Sequence, residues 1–327
     1  MNRKWMTAVC VVMAVAMIAP AAAQAPAFPS KPVRFILAHP PGSGLDAATR
    51  ALAQEMSKDW GQPVVVENRP GASGMIGAEA CARAGPDGHA FCVVDRGQLS
   101  FVPNFYKKIP FDPAKDLEPI GNMFDLVSAF VLHPSVPANS VKELMALARA
   151  KPGSLNFGSV GDGTPPHLII EWIKKNQKLD MVHVPYKGAA PMVQSVIAGE
   201  IQFGYISAGT VIGPIRAGRL KVIAVSGDKR SPVFPGVPTL SETAGLAGVD
   251  DRIWFGLVGP AGIPRTVVAA IYGELVRIID NNSFREQRLV SQGWEPALIP
   301  PQEFGRFLAA DREVAGKIVR ALGIKLE

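Results

Sequence analysis

Histidine is scarce in this chain, and the spacing of its few histidines argues against several kinds of chemistry. Five histidines, at positions 39, 89, 133, 167 and 183, are spread over 327 residues, and no H-E-x-x-H sequence occurs. Metal ligands must converge on one ion, so we expect no metal site. No G-x-S-x-G sequence occurs either, and Ser159 has no sequence sign of a base partner. A metalloenzyme and a serine hydrolase are therefore disfavoured.

Dense runs of lysine and arginine are also missing. The chain has 34 Lys and Arg against 28 Asp and Glu, which gives a formal net charge of +6. Nucleic-acid-binding proteins usually concentrate their positive charge in patches interleaved with aromatic residues. The modest and dispersed excess here predicts no nucleic-acid partner.

Long apolar runs are confined to the first residues. Asn2-Arg3-Lys4 is followed by an apolar stretch over 5–18 and then by Pro20 and three alanines. A basic start, a short apolar run and an Ala-x-Ala site are the parts of a secretory signal peptide. We expect residues 1–23 to be removed after Ala23. No later stretch is long and apolar enough to span a bilayer, so we expect an exported, soluble protein.

Only three cysteines are present, and Cys10 lies within the predicted signal peptide. Cys81 falls in a helix-like run, and Cys92 falls in a strand-like run that follows the turn 85–88. In an oxidising compartment these two residues could form a disulfide. Two buried free thiols fit the same pattern, so both alternatives stay open.

Strand-like and helix-like runs alternate along the chain, which predicts an α/β fold. About 300 residues exceed what one core usually serves, so we expect two domains. An extended run over 117–133 predicts a crossing from one domain into the other. We assign residues 28–125 and 229–327 to lobe 1 and residues 126–228 to lobe 2. Two strands would then link the lobes and form a hinge.

A glycine turn after the first strand is a candidate anion site. The apolar run 33–38 is broken by Pro41-Gly42-Ser43-Gly44, and a helical pattern follows. The first backbone N–H groups of a helix have no internal partner, and the helix dipole is positive there. A carboxylate or a phosphate can therefore bind at such a turn.

Two hypotheses fit this turn. Gly42-x-Gly44-x-x-Ala47 matches a dinucleotide-binding fingerprint, and Glu67 ends the next strand at the position of a ribose-binding acid. This hypothesis predicts a secreted oxidoreductase. The alternative is a solute-binding lobe that holds a small carboxylate. Export favours the second hypothesis, because nicotinamide dinucleotides are cytoplasmic cofactors.

The second domain repeats the arrangement of a strand, a glycine turn and a helix. A short strand over 155–159 leads to the turn 160–163, and a helix follows with Thr164 as its N-cap and Pro165 at its first position. The sequence therefore predicts one helix start on each lobe, both facing a shared gap.

Nine segments of the chain, in order, resemble the motifs of the Bug-type substrate-binding proteins of tripartite tricarboxylate transporters. They are residues 28–36, 39–46, 66–72, 84–88, 106–113, 158–164, 184–191, 230–232 and 259–262. The resemblance implies a type II periplasmic-binding-protein fold, with two α/β lobes joined by a two-strand hinge. It also implies capture of a small organic carboxylate by lobe closure and delivery to an integral-membrane transporter.

In that family the glycine loops of both lobes hold the ligand carboxylate, and Tyr186 lies in a motif that favours the cleft. Carried onto this sequence, the resemblance implies the ligand-binding residues Pro41, Gly42, Ser43, Gly44, Asp46, Ser159, Gly161, Gly163, Thr164 and Tyr186. The sequence departs from the family pattern at Ser43, Leu45, 95–98 and 206–207. These positions would select the solute, so Arg96 and Ser207 are further candidates. Arg96 could pair with a distal carboxylate, or it could simply pair with Asp95.

These inferences together predict a periplasmic binding protein that is not an enzyme and uses no cofactor. We expect a monomer whose partners are a small organic acid and the membrane subunits of a transporter. A ligand-sensing receptor for a membrane signalling partner is a further alternative, which the sequence does not distinguish from a transport protein.

Overall fold

The computed structural model describes residues 28–243, 245–246 and 249–323. The predicted signal peptide, residues 1–23, lies outside the described residues. Within them the chain forms eleven strands in two sheets, with helices packed on both. No helix within these ranges combines the length and the apolar character that crossing a bilayer requires.

Sheet 1 has the strand order β11-β4-β10-β3-β1-β2. Its strands are β1 (Val33–Leu37), β2 (Val64–Asn68), β3 (Ala90–Asp95), β4 (Leu117–Leu126), β10 (Trp254–Pro260) and β11 (Trp294–Ile299). β1 pairs in parallel with β2 and β3, whereas β10 runs antiparallel to β3 and β4. The carboxyl ends of β1, β2 and β3 therefore meet at one edge of the sheet.

Sheet 2 has the strand order β7-β6-β8-β5-β9. Its strands are β5 (Ser128–Leu132), β6 (Asn156–Ser159), β7 (Val182–Pro185), β8 (Phe203–Ser207) and β9 (Lys221–Val225). β6 is parallel to β7 and β8, and β5 is antiparallel to β8 and β9. Each sheet with the helices packed on it is called a lobe below.

Ten α-helices connect the strands of the described chain. They are α1 (Gly44–Trp60), α2 (Met75–Ala82), α3 (Val102–Phe105), α4 (Val141–Ala150), α5 (Pro165–Gln177), α6 (Ala189–Ala198), α7 (Ala208–Arg216), α8 (Arg265–Ile279), α9 (Asn282–Phe284) and α10 (Pro301–Leu322). Ser140 caps α4, because its side chain accepts from the Glu143 N–H at 3.2 Å. α10 packs on sheet 1 and also contacts α5 of the second lobe.

The chain crosses between the sheets twice. Val127 is the single residue between β4 and β5, so the long extended run divides between the two sheets. The return from β9 to β10 is a longer segment rich in turns. One hydrophobic cluster includes Phe35 of sheet 1, Ile253 of the return segment and Tyr205 of sheet 2. The two lobes therefore share buried apolar contacts at the crossings.

Candidate functional site

A cavity of about 380 Å³ lies between the two sheets. Sheet 1 contributes the loops that follow β1, β2 and β3, and sheet 2 contributes the loop between β6 and α5. Leu126 and Ile253 line it from the two crossings. Ligands of open α/β sheets bind beyond the carboxyl ends of parallel strands. We call this space the interlobe cavity, and it is the candidate ligand site.

The conformation of the loop between β6 and α5 depends on its glycines and on hydrogen bonds from two hydroxyl side chains. Gly161 and Gly163 have φ of +134° and +70°, which favour glycine over other residues. The buried Ser159 Oγ accepts from the Gly161 N–H at 3.1 Å. Thr164 Oγ1 donates to the Gly161 carbonyl at 2.7 Å instead of capping α5. Gly163 and Thr164 line the interlobe cavity, whereas Ser159 and Gly161 shape the loop behind it.

The start of α5 offers fewer free amides than its sequence suggests. Pro165 and Pro166 have no N–H group. The Gly163 N–H donates to His167 Nδ1 at 3.0 Å. The amides of Thr164 and His167 remain as those that helix geometry leaves without an internal partner. The positive end of the helix dipole still faces the cavity, because Thr164 and Pro165 both line it.

Two histidines that were not predicted to be neighbours stack against each other next to this loop. The His167 and His183 rings lie 3.9 Å apart and are nearly parallel, at 13°. Burial, followed by the charge of His167, lowers the pKa of His183 to about 4. Burial also lowers the pKa of His167. Its neutral form is the one that accepts the Gly163 N–H, so the loop geometry depends on an uncharged imidazole.

Among the described residues, the potential metal-ligand atoms of these histidines and Asp162 lie within 4.8 Å of one another. Imidazole binds a metal along its ring plane at about 2.0–2.1 Å. Two rings stacked almost in parallel aim their lone pairs along separate planes, so one ring would have to turn before both could bind one ion. The arrangement therefore fits a buried aromatic stack better than a metal centre.

The loops of sheet 1 bring His39, Asp95 and Gln98 into the interlobe cavity. His39 Nε2 lies 2.7 Å from Asp95 Oδ2, and Asp95 Oδ1 accepts from the Gln98 N–H at 3.0 Å. Gln98 Nε2 donates to Asp95 Oδ2 at 3.3 Å. Two polar residues of the segment 95–98, which was predicted to select the solute, thus line the cavity: Asp95 and Gln98. His39 was missed, although it immediately precedes the proline-glycine turn.

Backbone amides at the start of α1 are already bound by side chains of the same segment. The carboxylate of Asp46 accepts from the Gly42 N–H at 2.9 Å, from Arg50 Nε at 3.0 Å and from Asn68 Nδ2 at 2.9 Å. Burial alone would raise its pKa, but these three donors hold the pKa of Asp46 below its usual value. Ser43 Oγ accepts from the Asp46 N–H. The structure places 41–43 and Asp46 outside the lining of the interlobe cavity.

Gly44 and Ser207 meet in a second, smaller cavity of about 310 Å³. Arg288 and Thr210 also line it. Phe255 lines the interlobe cavity and Trp294 lines the smaller one, and the two rings pack edge to face at 5.1 Å. The predicted residues of the two lobes are therefore divided between two spaces that flank this aromatic pair.

Arg96 is a buried structural residue in this fold. Its guanidinium pairs with Asp250 and, at 3.0 Å, with Asp311, and it donates to the Arg252 carbonyl at 2.8 Å. It is fully buried and is not part of the lining of the cavity that Asp95 lines. The prediction that Arg96 contacts the solute therefore has no support in the structure. Its alternative partner Asp95 is bound to His39 instead.

The remaining predicted residues lie beside the site. Tyr186 is half-buried and packs with the apolar cluster of sheet 2, and its N–H donates to the Ser159 carbonyl at 3.0 Å. Cys81 and Cys92 are joined by a disulfide, with their Cα atoms 5.9 Å apart. This pair links α2 to β3, the strand that ends at Asp95.

The crossings enclose a wider space of about 530 Å³ that is strongly acidic. Its lining includes Asp125, Asp228, Asp250, Asp251 and Glu295. Burial raises the pKa of Asp251 to about 7. This carboxyl accepts from the Tyr205 hydroxyl at 3.2 Å and from the Gly227 N–H at 3.2 Å. These acids outnumber Lys229 and Arg252, which also line the space, whereas the start of α5 lines the interlobe cavity. The interlobe cavity is therefore the better site for an organic anion.

A sequence profile of the tripartite tricarboxylate transporter family receptor matches residues 48–324. The chain belongs to this receptor family. It is 34% identical over 253 residues to the UPF0065 protein in the tcbD-tcbE intergenic region of Pseudomonas sp. (strain P51), covering 77% of this chain and 75% of that protein. The identification as a Bug-type receptor from its sequence motifs is confirmed.

Solved structures of the family share the fold. R. palustris Rpa4515, solved with adipate, is 28% identical with a TM-score of 0.81, over 91% of this chain and 99% of that one. The periplasmic binding protein BugD is 27% identical with a TM-score of 0.78, over 92% and 100% of the two chains. The predicted two-lobed α/β fold is confirmed.

The receptor's own sheet order argues against the dinucleotide hypothesis. A dinucleotide-binding domain extends a parallel sheet, whereas β3 is followed in sheet 1 by the antiparallel β10. Glu67, the proposed ribose-binding acid, accepts from Arg69 Nε at 2.8 Å and pairs with Arg34. The family of this chain and its structural neighbours are receptors and periplasmic binding proteins.

Proposed function

We propose that this receptor is periplasmic and captures a small organic carboxylate between its lobes, without chemistry, for delivery to the membrane subunits of a tripartite tricarboxylate-type transporter. The observation that carries the proposal is the interlobe cavity, which the loops of both sheets line together with the start of α5. Adipate in R. palustris Rpa4515 supports a carboxylate ligand. Closure of the lobes over the ligand would then expose a recognition surface to the transporter.

The ligand carboxylate would lie at the start of α5, against Gly163 and Thr164. The helix dipole and the Thr164 amide would stabilise its charge there. His39 faces it from sheet 1, held in place by Asp95. Each lobe would thus contribute to binding, which is the condition for a ligand that stabilises the closed state. We also propose that the receptor is monomeric.

Isothermal titration of the mature protein with a panel of mono-, di- and aromatic carboxylates tests the proposal. We expect at least one of them to bind with micromolar or tighter affinity. In the variant Thr164→Val, which loses the hydroxyl that braces the loop, we expect affinity to fall about 10-fold. Thr210→Val, the same change in the smaller cavity, should leave the affinity unchanged.

Two outcomes would contradict the proposal. One is stabilisation by NAD with no response to any carboxylate. The other is a loss of affinity in Thr210→Val but not in Thr164→Val, which would move the ligand to the smaller cavity.

A further inference from the structure

The charges that line the interlobe cavity restrict the class of ligand, and this inference rests on the proposed function. Among the described residues, no lysine or arginine lines the cavity. Asp95 and Asp162 are its two carboxylates, and most of the remaining lining is proline, glycine or apolar side chains. The start of α2 also reaches the cavity at its N-cap Gly74, but the Gln98 side chain packs directly against Gly74. The positive end of α5 is therefore the favourable position for a ligand carboxylate.

The nearby arginines do not supply a second cationic position. Arg96 follows Asp95 directly, but its guanidinium is buried against Asp250 and Asp311. Arg288 lines the smaller cavity, on the other side of the packed Phe255 and Trp294 rings. A second ligand carboxylate would lie among apolar side chains, two acids and His39, whose Nε2 is already paired with Asp95 at 2.7 Å. A desolvated charge without a partner is strongly unfavourable.

Among the described residues, the buried side-chain group of this lining that lacks a hydrogen-bond partner is an acceptor. Gln98 lines the cavity and is only 3% exposed. Its Oε1 is buried and has no hydrogen-bond partner among the described residues, while its Nε2 donates to Asp95. An unpaired buried acceptor favours a ligand that brings a donor, such as a hydroxyl group. It disfavours a further carboxylate, which brings only acceptors at neutral pH.

We propose that the receptor binds monocarboxylates with an apolar body, which carry at most a hydrogen-bond donor such as a hydroxyl, and that it rejects dicarboxylates of the same length. The carboxylate lies at Thr164, and the body packs against Val102, Phe105, Ile253 and Phe255, which all line the cavity. Gln98 and Asp95 accept from a donor on the body when one is present.

Calorimetric titration of matched pairs of acids tests the proposal, with hexanoate against adipate and benzoate against terephthalate. We expect the monoacid of each pair to bind at least about 30-fold more tightly, because sites reject ligands that leave a buried polar group unpaired by large factors. Equal or tighter binding of either diacid would overturn the proposal. If that diacid also loses affinity in Arg288→Gln, its second carboxylate lies at the smaller cavity. If no carboxylate binds at all, the proposed function itself fails.

A charge placed in the cavity gives the converse test. Ser73 lines the cavity at an exposed position. Ser73→Lys should tighten adipate binding about 10-fold, since it supplies the missing cation at close range. Hexanoate affinity should change less than about 3-fold, and the uncharged control Ser73→Gln should change neither. A folded Ser73→Lys protein that binds adipate no better than Ser73→Gln would contradict the proposal.

Discussion

The sequence predicted the position of a side chain in this receptor better where a local motif sets it than where a contact distant in the chain sets it. Gly163 and Thr164 lie at the interlobe cavity because a strand, a glycine turn and a helix are encoded within a few residues. Arg96 shows the limit, since its partner Asp250 is 154 residues away in the chain. A charged residue after a strand looks the same in sequence whether it faces a ligand or a buried acid.

The His167–His183 stack was missed for the same reason. The two residues belong to different elements, α5 and β7, and they meet because β6 and β7 are neighbours in sheet 2. Their positions in the sequence relative to the glycine loop could have predicted that the two histidines meet. Both lie close to the glycine loop, one just after it and one on the next strand.

His183 should make the stability of the receptor depend on pH. Its pKa is about 4 in the folded protein and 6.5 in its ordinary state, so the unfolded chain binds more protons between these values. The contribution of His183 to stability is complete above pH 6.5 and should fall by about 2 to 3 kcal/mol as pH falls to 4. Urea unfolding of the wild type and of His183→Gln at pH 4.5, 5.5 and 7.5 measures this contribution.

Other groups also titrate in that range, so the comparison with the variant is what isolates the histidine. We expect the difference in unfolding free energy between the two proteins to be constant above pH 7 and to shift in favour of His183→Gln in acid. A difference that stays constant over the whole range would show that His183 does not carry the effect.

Secondary-structure elements were predicted well where their apolar pattern is strong. The strands predicted over 33–38 and 155–159 agree with β1 and β6 to within a residue. β11 was missed, because Trp294–Ile299 contains Pro296 and is only partly buried over most of its length. Edge strands tolerate proline and lack a clear burial pattern, so sequence gives little sign of them.

The segment after β3 is the second difference at this scale. Its sequence pattern did not predict a helix, whereas Gly97–Phe101 forms a π-helical turn that continues into α3. Such turns are frequent at functional sites. Here the turn carries Gln98 into the interlobe cavity, which a plain loop would not fix in place.

The Cys81–Cys92 disulfide ties α2 to β3, and we expect it to stabilise this part of lobe 1. The bridge closes a short loop with a sequence separation of 11 residues. Closure of a loop of this size contributes about 3 kcal/mol in the chain-entropy model. Urea unfolding of the oxidised protein against Cys81→Ala/Cys92→Ala should show that loss.

Alkylation without reductant, followed by mass spectrometry, is the control for this measurement. We expect no modified cysteine in the denatured wild-type protein. Two alkylated thiols, or equal unfolding midpoints for the two proteins, would contradict a stabilising disulfide.

At the scale of the whole molecule, the crossings bring together acidic residues and hydrogen-bond partners from segments that are far apart in the chain. Asp251 of the return segment accepts from Tyr205 of sheet 2 and from Gly227 beside the crossing. The sequence predicted two crossings, but their acidic lining comes from residues as far apart as Asp125 and Glu295. Only the folded arrangement of both lobes brings these groups together.

Asp251 should give a pH dependence opposite in sign to that of His183. Its pKa is raised by burial from 3.8 to about 7, so the folded protein holds a proton that the unfolded chain has released. The contribution of Asp251 to stability is greatest below pH 4 and should decline as pH rises to 7, by on the order of 3 kcal/mol. Asp251→Asn, which stays uncharged, should lack this decline.

Unfolding of the wild type and Asp251→Asn at pH 4, 5.5 and 7.5 provides the measurement. We expect the variant to gain stability relative to the wild type as pH rises. An unchanged difference at all three values would mean that the carboxyl is already ionised in the folded protein.

The apolar cluster that includes Phe35, Ile253 and Tyr205 has a consequence for how the molecule melts. Neither half can lose its structure without exposing side chains that the other half covers. Heating should therefore give one calorimetric peak with matching van 't Hoff and calorimetric enthalpies, although the chain is longer than most single cooperative units. A ligand bound between the halves would move that entire peak to higher temperature rather than split it.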